Sequence, residues 1–351
     1  MGRYGRRISR SLIGVLIVTL VLGLVFFLKN LGKTEAEPTP AVTVTPAAAP
    51  IVAAKPAPAT APAPMITETP TESVIVQQIA LAPPTSAPAA KVESSPTAIA
   101  DAKAKQDAGD LIAARKILNN ALLSGTLSEA DAESVKKTIS QLNQTLIFSP
   151  QKFAGDEYAT SYTVQSGDLL TKIALPHEIP WEAILRFNGM TDAKKLRAGQ
   201  TLKIVQGPFN AIVTKSKFTI DLYLGPPGEK GSMFITQLPV GLGREDSTPT
   251  GTWICEAGKK LKRPTYYNPR ATGDRIIAQD DPKNPLGTRW IGLTGINGRA
   301  VGQESYGIHG TIEDDSIGKQ ASMGCIRMHN ADVELVFDLL ADGKSIVVVK
   351  D

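Results

Sequence analysis

Cysteine and histidine are the scarce residues of this chain, which has two and three of them in 351 positions. Two cysteines cannot build a disulfide-stapled scaffold, although they leave room for one bridge. No His, Cys or carboxylate cluster has the spacing of a zinc site, so no metal or cofactor is implied. An excess of either charge is missing too. The 38 Lys and Arg against 34 Asp and Glu leave a net +4. With no basic helix or aromatic platform beside it, that balance argues against a nucleic-acid partner.

The N-terminus holds a long apolar run. "MGRYGRRISR" (1–10) carries Arg3, Arg6, Arg7 and Arg10, and "SLIGVLIVTLVLGLVFFL" (11–28) follows without a charge. At 1.5 Å per residue that run makes about 27 Å of helix, close to a hydrocarbon core of about 30 Å. The arginines place 1–10 in the cytoplasm and the rest outside, as a single-pass transmembrane anchor. A cleaved signal peptide is the rival, but the run is long for one and no small-x-small site follows closely. Residues 29–98 form a Pro/Ala/Thr-rich tether, with 13 prolines and no aromatic residue between Glu37 and Ala98. Proline removes backbone donors and fixes φ, so the tether should be disordered and extended.

Residues 99–148 read as an α-helical hairpin. Leu111, Ala114, Ile117, Leu118, Ala121 and Leu122 form one stripe within Ala98–Gly125. Ser128 and Asp131 mark the start of the second helix, striped by Val135, Ile139 and Leu142. No chemistry is visible there, and a spacer or packing module is the reading.

Residues 161–206 are ordered as β-α-α-β. "YTV" is a short strand, "LLTKIA" and "PWEAILRFNG" are helices, and "LRAGQTLKIV" turns into a strand, with Asn188 and Gly189 suited to a helix end. Tyr162, Val164, Gly167, Asp168, Leu169, Ile173, Ala174, Ile184, Asn188, Leu196, Gly199, Gln200 and Leu202 resemble the LysM module. The resemblance implies binding to N-acetylglucosamine-containing glycan, usually peptidoglycan. It places Ser166, Gly167 and Asp168 on one wall of a groove and Asn188, Gly189 and Met190 on the other. His177 has no cluster around it that could hold a metal.

From Phe209 the apolar period shortens to two, as in "FTIDLYL". Strand-sized runs between Gly and Pro turns predict a mostly β sandwich or closed sheet, with one helix at "NADVELVFDLLADG" that Asn330 can cap. Alternation puts Trp253 and Cys255 on one face. "KKLKRP" (259–264) reads as a solvated loop, or as a dock for anionic wall polymer. "LPVGLGREDSTPTGTW", "NPLGTRWIGL" and "YGIHGTIEDDSIGKQASMGCIRMHNADVELVFDLL" together resemble the L,D-transpeptidase (YkuD-like) catalytic domain over 209–350. One departure is Met323, where the family usually has a histidine two places before the cysteine.

His309 and Cys325 suit that chemistry. An ordinary thiol is mostly protonated at neutral pH, and an imidazole within hydrogen-bond reach can take its proton and later return it to a leaving amine. The second imidazole nitrogen needs an acceptor: Asp314, Asp315 or a backbone carbonyl near Gly310, which the resemblance favours. Gly324, Cys325 and Gly310 are the backbone candidates for an oxyanion hole. Arg327 should share a face with Cys325 and hold a substrate carboxylate or buttress the loop. Tyr306, Ser322, Thr311 and Asn330 are candidate pocket residues, Asn330 more readily as a helix cap.

The resemblance implies 3→3 cross-linking of peptidoglycan stem peptides through a cysteine thioester, with release of D-alanine. Alternatives are L,D-carboxypeptidase activity, attachment of a protein to the wall, or an inactive wall-binding anchor with a Cys255–Cys325 bridge. The expected chain is therefore multidomain: a transmembrane helix in the inner membrane, a tether, a helical hairpin, a LysM module and a catalytic domain, the last parts lying in the periplasm or cell wall.

Overall fold

The computed structural model describes residues 95–351, apart from 269–271 and 274. The expected anchor (11–28) and nearly all of the tether lie outside the described residues. Among the described residues no helix is long and apolar enough to cross a membrane.

Three helices, not a hairpin, open the described chain: α1 (Ser95–Asp107), α2 (Leu111–Leu123) and α3 (Glu129–Leu146). The segment Ala98–Gly125, expected as a single first helix, is cut at Gly109, whose φ of +81° suits a helix stop, and the stripe from Leu111 to Leu122 lies whole in α2. Asp110 then restarts the helix, its carboxylate accepting from the Ala113 amide. Ser128 caps α3 by accepting from the Asp131 amide at 3.1 Å.

The LysM-like module pairs β1 (Ala159–Thr163) antiparallel with β2 (Thr201–Val205). Between them lie α4 (Leu170–Ala174) and α5 (Trp181–Phe187). Val164, Ile173, Ile184, Phe187, Leu202 and Ile204 form its core. Lys203 on β2 is fully buried and donates to the carbonyls of Leu146, Ser149 and Gln151 at 2.6, 2.9 and 3.0 Å. It thus satisfies carbonyls at and beyond the end of α3, which no intrahelical donor reaches. Burial lowers its pKa to about 8.

The C-terminal domain contributes β3 (Phe209–Thr214), β4 (Thr219–Leu224), β5 (Met233–Pro239), β6 (Leu242–Gly243), β7 (Gly251–Lys262), β8 (Tyr266–Tyr267), β9 (Ile276–Ile277), β10 (Arg289–Gly298), β11 (Tyr306–His309), β12 (Gln320–Ser322), β13 (Ile326–Arg327), α6 (Asn330–Leu339) and β14 (Ile346–Lys350). Eight of these strands form one sheet in the order β13-β11-β10-β7-β14-β3-β4-β5, so its hydrogen bonding is open rather than closed. β11–β13 and β14–β3 are parallel and the other neighbours antiparallel. The basic run at 259–262 is the end of β7, not a loop. Lys260 lies over the Phe337 ring and Lys262 over Trp181, which lets their stems cover apolar surface.

The edge strand β5 would expose unpaired backbone groups. The helices cover it. Asn119 on α2 accepts from the Phe234 amide and donates to the Ser232 carbonyl, in the manner of a strand partner. Asn143 on α3 donates to the carbonyls of Phe234 and Ile235, both at 3.0 Å. Leu118, Val135, Ile139 and Leu142 pack there against Tyr223 and Phe234. Replacing Asn143 with Ala strands two buried carbonyls. It should cost about 1–3 kcal/mol of stability, read by urea unfolding.

Candidate active site

The register of the β10–β11–β13 edge decides which side chains meet. Trp290 pairs with His309 across β10 and β11, and His309 pairs with Arg327 across β11 and β13. Ile291, Ile308 and Ile326 are paired neighbours and all buried in the core. Side chains alternate along a strand. Trp290, His309 and Arg327 therefore share the opposite face, and Cys325, two residues before Arg327, joins them beside Gly307. A Cβ on Gly307 would meet the Trp290 ring at 2.7 Å, so the indole fills that space. It stacks on the imidazole with centroids 5.8 Å apart and planes at 22°.

His309 is 5% exposed. Its Nδ1 lies 2.5 Å from the Gly310 carbonyl, which fixes the proton on that nitrogen and leaves Nε2 as the basic one. Asp314 and Asp315 do not reach it: Asp314 pairs with His329 at 2.9 Å and Asp315 faces Lys319. Burial lowers the His309 pKa to about 4, the Gly310 bond opposes this, and the Arg327 charge lowers it further. Cys325 moves the other way. Burial pushes its thiol up to about 11, against the Gly307 amide and the Arg327 charge, which both favour the thiolate. At neutral pH the resting pair is thiol and imidazole, both uncharged.

The thiol donates to the Ser305 carbonyl at 3.7 Å. No hydrogen bond joins it to His309 in this structure.

The loop before Cys325 is braced from several sides. Gly324 has a φ of +132°, and a Cβ there would strike the Tyr306 ring at 2.7 Å. Its amide donates to the Ser322 hydroxyl and its carbonyl accepts from Thr248. The Ser322 hydroxyl in turn donates to the Cys325 carbonyl at 2.6 Å. Gly324 is thus committed elsewhere as an oxyanion donor, and Ser322 is a brace rather than a pocket wall. The Gly310 amide likewise donates to the Arg289 carbonyl. Of the backbone candidates, the Cys325 amide is left. Tyr306 donates to the Ser247 carbonyl and packs on Trp253.

Asn330 does not cap α6: the cap position is His329, with no side-chain bond. Instead Asn330 accepts from the Thr288 amide and donates to the Thr311 carbonyl, clamping two loops beside His309. Thr311 is buried and its hydroxyl accepts from the Glu313 amide. Arg327 pairs with Glu313 at 2.6 Å. Met323 is exposed at the loop surface. Gly307, Trp290, Thr248 and Glu313 escape sequence reading because their roles come from pairing and packing with distant strands. Only the "YGIH" spacing hints at Gly307.

Cys255 is buried and free, its thiol pushed up to about 12 by burial. It lies on β7, three strands from β13. At about 4.8 Å per strand that is about 14 Å, twice what a disulfide spans. The bridge considered from sequence is therefore excluded in this fold.

In the LysM-like module, Ser166, Gly167 and Gly189 are exposed. Asp168 instead accepts from the Tyr162 hydroxyl and the Gln165 amide at 2.8 and 2.7 Å. Asn188 bonds the Ile184 and Lys203 backbone, and Met190 accepts weakly from Gln200. Asp168 and Asn188 brace the two turns between which the expected groove was placed. His177 faces Gln206.

The LysM domain family matches residues 162–205, and the L,D-transpeptidase catalytic domain family (YkuD) matches 229–349. The putative L,D-transpeptidase YqjB of Bacillus subtilis is 38% identical over 30% of this chain and 54% of its own length. The putative L,D-transpeptidase YkuD of the same organism is 29% identical over 54% of this chain and 98% of its own. The probable L,D-transpeptidase YcfS of Escherichia coli is 27% identical over 52% of this chain and 59% of its own. This chain thus spans about half of YqjB and nearly all of YkuD. It carries a LysM domain followed by a YkuD-type L,D-transpeptidase catalytic domain.

Two pH dependences follow. Alkylation of Cys325 by iodoacetamide should rise about tenfold per pH unit from 7 to near 10, because the thiolate fraction grows until the thiol's pKa of about 11. A plateau already at pH 7 would mean a preformed thiolate. His309 titrates near 4 folded and near 6.5 unfolded, so below about 6.5 the unfolded chain binds the extra proton. Stability should fall as pH drops from 6.5 towards 4. His309→Gln should remove that part of the slope in urea midpoints.

Proposed function

We propose that this chain, with its LysM and YkuD-type domains, is a peptidoglycan L,D-transpeptidase. It forms 3→3 cross-links through a thioester on Cys325 and releases D-alanine. The observation that carries the reading is the single sheet face shared by Cys325, His309 and Arg327, with His309 anchored through Gly310.

Acylation starts when the thiol leaves the Ser305 carbonyl. Nε2 of His309 takes its proton as sulfur attacks the carbonyl between the third stem residue and D-alanine. The Gly307 amide and Arg327 stabilise the sulfur's negative charge as it develops, and the Cys325 amide donates to the oxyanion. Collapse breaks the C–N bond, and the imidazolium gives its proton to the departing D-alanine amine. In the second half a side-chain amine of a neighbouring stem attacks the thioester. It yields a proton to His309, and the C–S bond breaks. The sulfur then recovers its proton. The neutral resting pair means charge separates only during reaction.

The LysM module holds glycan at its exposed turns around Ser166, Gly167 and Gly189. The apolar run at 11–28 anchors the chain in the membrane, and the Pro-rich tether lets the domains reach the wall.

Incubating the protein with purified muropeptides and separating the products tests the reading. Cross-linked dimers are the expected result. Trimmed tripeptides alone would assign hydrolysis, and unchanged substrate would leave only a wall-binding role. Cys325→Ala should abolish turnover while glycan pull-down persists, and His309→Ala should slow turnover by about 10²–10⁴-fold.

A further inference from the structure

We propose that Glu313 is a placeholder on Arg327 for the carboxylate of the donor's terminal D-alanine, displaced when the donor binds. The inference rests on the donor assigned above and adds a residue that governs its binding.

The geometry comes from β13 and the loop that follows β11. Cys325 lies at the bend just before β13 and Arg327 two residues on within it, so at most about 7 Å of backbone separates them. In the donor, the scissile carbonyl and the terminal carboxylate belong to consecutive residues. A stem lying along β13 with its carbonyl at Cys325 therefore brings the carboxylate to Arg327. The guanidinium's charge already bears on both the thiol and the imidazole, which fits that closeness.

Arg327 is already taken. Its Nη1 donates to Glu313 Oε2 at 2.6 Å. The two partners differ in freedom: the Arg327 side chain is 15% exposed and that of Glu313 is 56% exposed. A pair with one partner so open to water is weak. It is also incomplete, because Arg327 Nε is buried with no hydrogen-bond partner. A carboxylate that accepts from both Nη1 and Nη2 is a better partner than the single contact Glu313 makes, and it must take the place of Glu313 on Nη1.

Only the Glu313 side chain has to move. Its amide is held by the Thr311 hydroxyl and its carbonyl by the Ser316 hydroxyl. The loop is fixed further by Asn330 on Thr311 and by His329 on Asp314. Releasing the carboxylate therefore leaves the backbone beside His309 in place, and removing it does the same.

The test is calorimetric titration of the full chain carrying Cys325→Ala, which binds without turning over. The ligands are a tetrapeptide ending in D-alanine and the same peptide with a C-terminal carboxamide. Adding Glu313→Gln should tighten the acid-ended peptide by about 2- to 5-fold, the reach of an exposed ion pair, and leave the carboxamide unchanged. Glu313→Ala should do the same. Arg327→Gln should weaken only the acid-ended peptide. An equal shift for both peptides, no shift for either, or no binding of the acid-ended peptide overturns the inference. Because turnover is not read, a protein that shows the expected shifts yet yields no cross-linked or trimmed product would sink the proposed reaction and leave the placeholder standing.

Discussion

Parallel pairing of β11 with β13 is the constraint from which the site follows. Two short strands set their isoleucines into the core, and this turns His309 and Arg327 together to the other side, with Cys325 at the bend that leads into β13. A slip of one residue would send the thiol into the core and the imidazole away from it. The pairing has few hydrogen bonds of its own, so it depends on bracing from outside. Asn330 ties Thr288 to Thr311, Ser322 and Thr248 tie the turn before Cys325, and Tyr306 seals that turn against Trp253.

The same burial that fixes the groups sets their electrical state. Desolvation moves thiol and imidazole away from each other in pKa, to an uncharged pair. A buried ion pair would need compensating polar groups that this face has in short supply. The Gly307 amide and Arg327 supply some compensation, enough to assist a passing thiolate rather than a permanent one. Arg327 is in turn partly neutralised by Glu313.

Much of this was legible in the sequence, and the failures share a cause. The β-α-α-β order of residues 161–206 could be read because local turn and cap chemistry agrees with the fold, as at Asn188 and Gly189. His309, Cys325 and Arg327 could be picked out because their residue types are scarce or well spaced. Local reasoning misled where tertiary partners outbid it. Asn330 suits a helix cap, yet Thr288 and Thr311 claim it. The segment Ala98–Gly125 reads as one helix, yet one left-handed glycine at 109 breaks it before α2 begins. Lys260 and Lys262 look solvated, yet their stems lie on Phe337 and Trp181 inside β7. Asp314 looked like a partner for His309 and pairs with His329. Gly307 and Glu313 had no local signal, since each matters only through a strand or loop far along the chain.

The central claim is that Cys325 carries a peptide fragment with help from His309. Mass spectrometry of the intact protein, quenched soon after mixing with a D-alanine-terminated tetrapeptide, reads this directly. The account predicts an adduct equal to the tetrapeptide less D-alanine, mapped to Cys325 and forming far more slowly in His309→Ala. An adduct on another residue, or one that forms as fast without the imidazole, would contradict it.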